Sequence, residues 1–317
     1  MRIIPAREGI DRILEASVIG SFSRLGPLVR RPLQSWPDIP RLDGRVVVVT
    51  GATSGLGRAG AQVLIERGAH VIAVGRNETA LAELQESWGS RGEAWRYDLS
   101  SLTEAHELAQ RLSARGPIDA LVHNAGALAL SYGQSADGVE QTLAVHLLAP
   151  YLITRAMGTP VTQMRQRIIF MTSGGMYTQP FTLDTLEASS EGYRGSVAYA
   201  RVKRAQVVLC AALQRREPPT GRLFYAVHPG WAATPGVATS LPLFNRLASP
   251  LLRTALQGVD GALWLATVTP PAPGGGLWLD RVERPVHRLR STRSGDALHD
   301  EQLLVDWLDQ RLADLGF

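Results

Sequence analysis

Residues 45–57 read Arg45-Val46-Val47-Val48-Val49-Thr50-Gly51-Ala52-Thr53-Ser54-Gly55-Leu56-Gly57. Four consecutive valines make a strand apolar on both faces, as happens where helices cover both sides of a parallel sheet. The strand runs into a turn with three glycines, and a helical pattern follows to about Arg67. Such a turn lets the backbone approach a pyrophosphate, whose charge suits the helix N-terminus.

The alternation continues along the chain. Apolar strands are expected at 70–75, 93–97, 118–123, 167–171 and 222–228, with helices at 77–88, 101–114, 138–157 and 196–216. Strands separated by helices are βαβ units, hence a doubly wound parallel α/β sheet. Residues 45–290 are expected to form one dinucleotide-binding and catalytic domain. Residues 291–317 form a tail, helical from about Leu298 to Leu315. Residues 1–44 form a helical arm, with Ile10, Ile13, Leu14, Val18, Phe22 and Leu25 at helical spacing and Arg24, Arg30 and Arg31 nearby. Two readings stand: an arm that touches a membrane surface or partner, or a helix docked on its own domain.

Composition narrows the class. The 317 residues are 45% apolar and 20% charged, an ordinary globular balance that excludes disorder and collagen-like structure. No apolar run approaches the ~20 residues of a membrane span, and no secretory leader is evident. A single cysteine, Cys210, forbids an internal disulfide and a cysteine-built zinc site, so no metal centre and a reducing, cytoplasmic setting are expected. Net charge is only +4, and no basic run is interleaved with aromatics, so no nucleic-acid partner is expected. Every basic residue but one is arginine. Lys203 is the lone lysine.

Four further motifs lie in order on these elements: Asn124-Ala125-Gly126 after the fourth strand, Ser173 after the fifth, Tyr199-Ala200-Arg201-Val202-Lys203 on the next helix, and Pro229-Gly230 after the sixth strand. With the glycine turn they resemble the short-chain dehydrogenase/reductase family over roughly residues 43–285. SGGM at 173–176, HPGWAATPGV at 228–237 and GLWLDR at 276–281 look like its dehydrogenase/reductase member 12 subgroup. The resemblance implies a Rossmann-type fold. It also implies cofactor contacts by Gly51, Thr53, Ser54, Gly55, Leu56, Gly57, Asp98, Leu99, Asn124, Ala125, Gly126, Tyr199, Lys203, Pro229, Gly230 and Thr234. Capping of the next helix is the other reading of Asp98. The helices at 138–157 and 196–216 correspond to those that often form a dimer face in this family.

An NAD site of this kind places an acid at the end of the second strand. Here Gly75 stands there with Arg76 next. A carboxylate would repel a 2′-phosphate and a guanidinium can bind it, so NADP(H) is expected over NAD(H).

Reduction of a carbonyl needs a proton donor at the developing alkoxide. The i,i+4 spacing puts Tyr199 and Lys203 on one helix face. A nearby cation lowers a phenol pKa, so Tyr199 is the expected acid/base, with Lys203 beside it and Ser173 orienting the substrate oxygen. His146 stands where the family has an asparagine whose main-chain carbonyl holds a relay water. It is read either as a group titrating near neutrality or as a spacer.

The stretch 174–196 (Met176, Tyr177, Phe181, Tyr193) and the loop after Pro229 (Trp231, Leu241, Leu243, Phe244, Leu247, Leu251, Leu252) are apolar. They suggest an apolar carbonyl or alcohol substrate, and equally a lid packed on the core. The leading expectation is an NADP(H)-dependent carbonyl–alcohol oxidoreductase. The alternative is a dinucleotide-binding regulatory or scaffold protein without turnover.

Overall fold

A computed structural model describes residues 4–157, 165–217, 221–240 and 242–317. Three arm helices come first: α1 (Ile4–Ala16), α2 (Val18–Phe22) and α3 (Leu25–Leu33). The repeat follows as β1 (Val46–Thr50), α4 (Gly55–Glu66), β2 (His70–Gly75), α5 (Glu78–Trp88), β3 (Gly92–Arg96), α6 (Leu102–Arg115) and β4 (Ala120–His123). Then come α7 (Gln141–Leu143), a π-helical turn (Ala144–Leu148), α8 (Ala149–Ala156), β5 (Arg167–Met171), α9 (Gly195–Arg216) and β6 (Leu223–Val227). The chain closes with α10 (Pro235–Ser240), α11 (Pro242–Ala248), α12 (Ala255–Thr267), β7 (Leu277–Leu279), β8 (Val282–Arg284) and α13 (Ala297–Asp314).

The eight strands lie in the order β3-β2-β1-β4-β5-β6-β7-β8. All pairs are parallel except β7–β8. Alternate side chains divide the core in two. Val48, Ile72, Leu121, Phe170 and Phe224 pack on one face, while Val47, Val49, Val71, Val122, Ile169 and Tyr225 pack on the other. The strand order reverses between β1 and β4, and in such sheets ligands bind beyond the strand C-termini at that point. The doubly wound reading holds.

Boundaries shift where local chemistry decides. The strand expected at 118–123 begins at Ala120, because the Asp119 carboxylate accepts the Val46 amide at 2.8 Å and pairs with Arg45. The single helix expected at 138–157 is a short bridge and then a helix interrupted by the π turn. Pro150 lacks the N–H that a regular α-helix would give to residue 146.

The arm docks on the chain, but not by its apolar stripe. Ile13 is 73% exposed, and Ile10, Val18 and Leu25 also face outward; of the stripe, only Phe22 is fully buried. The docked face is ionic. Buried Arg30 bonds Asp11 at 2.6 Å, Glu15 at 3.1 Å and Asp280 at 2.6 Å, and Arg284 bonds Asp11 at 2.6 Å. Arg288 pairs with Glu15. Helix α13 packs along α9, with Arg215 bonded to Glu301, and reaches Tyr151 of α8 through Asp309. Part of the surface expected for a second copy is thus covered from within the chain. Among the described residues no helix is long and apolar enough to cross a membrane.

Candidate active site

A cleft of about 570 Å³ opens at the C-terminal ends of β1, β2, β4, β5 and β6. Its floor is the glycine turn. Gly51 has φ +67° and Gly55 +53°, backbone that favours glycine. A Cβ on Gly51 would lie 2.7 Å from Ala125 Cα. Ser54 begins α4 without a side-chain cap, so the first amides of that helix are left to the cleft. This open, Cβ-free cradle at a helix N-terminus fits a dinucleotide pyrophosphate.

Asn124 and Gly57 build the floor, and of the two only Asn124 also lines the cleft. Asn124 Nδ2 donates to the Thr50 and Gly51 carbonyls at 3.0 and 3.3 Å, and the Asn124 and Ala125 amides both donate to Thr50 Oγ1 at 3.0 Å. A Cβ on Gly57 would meet the Gly51 carbonyl oxygen at 2.3 Å, and Gly57 does not line the cleft. Thr53, Ser54, Gly55, Leu56, Arg76, Asp98, Leu99, Asn124, Ala125, Gly126, Pro229, Gly230 and Thr234 do.

At the far end, a Cβ on Gly75 would lie 2.7 Å from Thr53 Cγ2, so a larger residue there would have to displace the Thr53 side chain. Arg76 is 66% exposed and stands 4.0 Å from Asp98. Asp98 does not cap the next helix; Ser101 does. Asp98 Oδ1 accepts the Ser100 amide at 3.0 Å and hydroxyl at 2.9 Å. Burial raises this carboxyl, but those bonds and the charges of Arg76 and Arg96 hold it below its ordinary value.

Ser173, Tyr199, Lys203 and His146 meet at the opposite end of the cleft. Ser173 caps the turn Gly174–Thr178, accepting the Gly175 amide at 3.3 Å. Tyr199 lies near the start of α9. Burial pushes its phenol up to about 12, against the opposing Ser173 hydroxyl. Lys203 donates Nζ to the Met171 carbonyl at 2.7 Å, and burial pushes it down to about 7. The expected lowering of the phenol by Lys203 is therefore not seen. Burial governs both groups.

His146 sits on the π turn, its ring edge-on to Tyr199 with centroids 5.2 Å apart. Its Nε2 lies 3.0 Å from the Ala127 carbonyl. A carbonyl only accepts, so Nε2 carries the proton and buried Nδ1 is left without a partner. Burial and then the Lys203 charge hold the imidazole well below its ordinary range, which favours the spacer reading over titration near neutrality. The His146 carbonyl, assigned to a relay water by the resemblance, accepts Gln206 Nε2 at 2.6 Å. Gln206 escaped the sequence reading, although Pro150, four residues after His146, signals a carbonyl in need of a donor.

The apolar segments divide. Met176 and Tyr177 are buried in the core, and the Tyr177 hydroxyl donates to the Pro285 carbonyl at 3.0 Å. Tyr193 donates to Glu140 at 2.9 Å, and Trp231 packs against the core. Met176, Tyr177, Tyr193 and Trp231 do not line the cleft. Leu247 is exposed and Leu252 buried. Leu241 and the side chains of Leu243 and Phe244 lie outside the described residues.

The short chain dehydrogenase family model matches residues 45–242. Dehydrogenase/reductase SDR family member 12 of Bos taurus is 32% identical over 280 residues, spanning 85% of this chain and 87% of that protein. Polyprenol dehydrogenase of Danio rerio is 30% identical over 309 residues, spanning 88% and 89%. A crystal structure of an uncharacterized Mycobacterium paratuberculosis protein superposes with a TM-score of 0.68 at 27% identity, spanning 86% of this chain and 96% of that one. The chain belongs to the short-chain dehydrogenase/reductase family of pyridine-nucleotide-dependent oxidoreductases.

Proposed function

We propose that this protein interconverts a carbonyl and an alcohol on an apolar substrate with NADP(H) as cofactor. The observation that carries the reading is the convergence of Ser173, Tyr199 and Lys203 at one end of a cleft whose floor is the glycine cradle. NADPH, when bound, supplies the hydride. Tyr199 gives its proton to the oxygen that becomes the alcohol, and Ser173 orients that oxygen. Lys203, buried and close to neutral pKa, is charged by a polyanionic neighbour and then replaces the proton on the phenol side.

Gly75 and Arg76 support NADP(H): no carboxylate closes the second strand, and the guanidinium stands exposed at the cleft mouth. Leu56, Val145, Met171 and Ala232 give the cleft apolar wall, which suits a lipophilic substrate. The similarity to polyprenol dehydrogenase of Danio rerio supports the same class. One observation favours the alternative of a binding protein without turnover: the His146 carbonyl is engaged by Gln206. NADPH consumption over a panel of apolar ketones and aldehydes decides between them. Turnover with any member supports the oxidoreductase, and tight NADPH binding with no turnover supports the binding protein.

A further inference from the structure

The arm lines no part of the cleft, yet it touches the backing of both walls. Phe22 closes α2 and is 3% exposed. Its ring stands edge-on to His228 with centroids 4.3 Å apart, and edge-on to Trp231 at 6.1 Å. Those two residues bracket Pro229-Gly230, one wall of the cleft. The other wall is the turn after Ser173. A Cβ on Gly174 would lie 3.0 Å from Phe22 Cε2 and 2.9 Å from His228 Nε2, so that backbone rests on the same two rings.

Hydrogen bonds fix the contact. The Phe22 carbonyl accepts the Trp231 amide at 2.7 Å and Arg253 Nε at 3.0 Å. Arg253 also donates to the Ser21 carbonyl at 2.6 Å and to both oxygens of Asp280, at 2.6 and 2.9 Å. A Cβ on Gly230 would lie 2.2 Å from Arg253 Nε, so this guanidinium lies directly beneath the wall. His228 Nδ1 accepts the Gly230 amide at 3.1 Å, which ties the imidazole under Phe22 to the same wall.

We propose that the arm is a working part of the active site, with Phe22 the positioning residue that sets the Ser173 wall against the Gly230 wall. This rests on the reading of the cleft as the NADP(H) and carbonyl site. The Phe22 ring, with the His228 imidazole against it, backs both turns. Its loss leaves the backbone hydrogen bonds of residue 22 in place and frees both walls to move. A displacement of about 1 Å in a reacting group costs up to ~10²-fold in rate.

The test compares wild type, Phe22→Ala, Phe22→Leu and Leu304→Ala, all as the full chain. Leu304 is buried on α13 and does not line the cleft, so it controls for plain destabilisation. Amide hydrogen exchange is read first, without nucleotide. Faster exchange in Phe22→Ala at 173–178 and at 228–231, with neither segment changed in Leu304→Ala, is expected. NADPH affinity is then read by titration. Phe22→Ala should weaken it about tenfold and lower kcat more than it raises KM, Phe22→Leu should recover most of both, and Leu304→Ala should stay within about twofold of wild type. Unchanged exchange at either wall, or affinity loss equal in Phe22→Ala and Leu304→Ala, overturns the proposal. Failure of wild type to bind NADPH, with exchange altered as expected, overturns the cofactor reading and leaves Phe22 as the support of both walls.

Discussion

The Lys203 ammonium lies 5.4 Å from the centre of the Tyr199 ring and donates to the Met171 carbonyl at 2.7 Å. The pair is one helical turn apart on α9, yet the cation is anchored to the end of β5. Burial sets Tyr199 at about 12 and Lys203 at about 7, so a negative charge entering the cleft acts on Lys203 first.

A proton should therefore be taken up when NADPH binds. At pH 8 Lys203 is mostly neutral, and the dinucleotide phosphates favour its charged form. Calorimetric titration in buffers of differing ionisation enthalpy should show uptake approaching one proton per cofactor at pH 8, fading toward pH 6. Lys203→Met should abolish it. Equal uptake in that variant assigns the proton elsewhere.

Arg76 should set cofactor choice. Wild type is expected to bind NADPH at least about tenfold more tightly than NADH, or ~1.4 kcal/mol, within reach of one charge-assisted pair. Arg76→Ala should remove most of that preference. Equal dissociation constants in wild type end the argument.

Much of this was legible in sequence because it rests on local rules. The valine run and the glycines of 51–57 need only a strand, a positive φ and a close backbone approach. A docked arm was one of two readings, but the residues that dock it were not legible. Its docking depends on Arg30 finding Asp280, 250 residues away, and periodicity carries no information about such pairs. Tyr177 and Met176 could be read either way for a related reason: an apolar residue beside a cleft and one beneath it look alike in sequence. Gln206 was missed because its role follows from the gap left by Pro150 on another helix.

The buried histidines should make the fold acid-labile. Burial lowers His123 to about 3, and burial first, then nearby cations, holds His146 and His228 well below 6.5. Groups with depressed folded pKa bind more protons when unfolded, so their contribution is present above about 6.5 and lost as pH falls below it. His123, held at about 3, should by itself cost about 2 kcal/mol between pH 7 and pH 5. Urea unfolding across that window should show the decline, with a smaller slope in His123→Asn. Flat stability from pH 7 to 5 contradicts it.

Asp280 should be the costliest residue in the arm's ion network. It is buried, has φ +54° and accepts from both Arg253 and Arg30. Asp280→Ala leaves buried Arg253 with carbonyl acceptors alone and removes one of the three carboxylates around Arg30, a loss of about 3–5 kcal/mol. Urea unfolding at pH 7 measures it. A loss below about 1 kcal/mol shows that water or another carboxylate takes over.

The most direct test of the whole account follows the hydride. NADPH deuterated at the transferring position is mixed with enzyme in single turnover, using any apolar ketone that the wild type reduces, and the product is read by mass spectrometry. The expected result is one deuteron on the new carbinol carbon with wild type. Tyr199→Phe should give less than about a hundredth of that rate while binding NADPH within a few-fold, as general acid–base steps are worth ~10²–10⁴-fold. Wild type that binds NADPH tightly and labels no carbonyl, or Tyr199→Phe that labels it above about a tenth of the wild-type rate, would contradict the account.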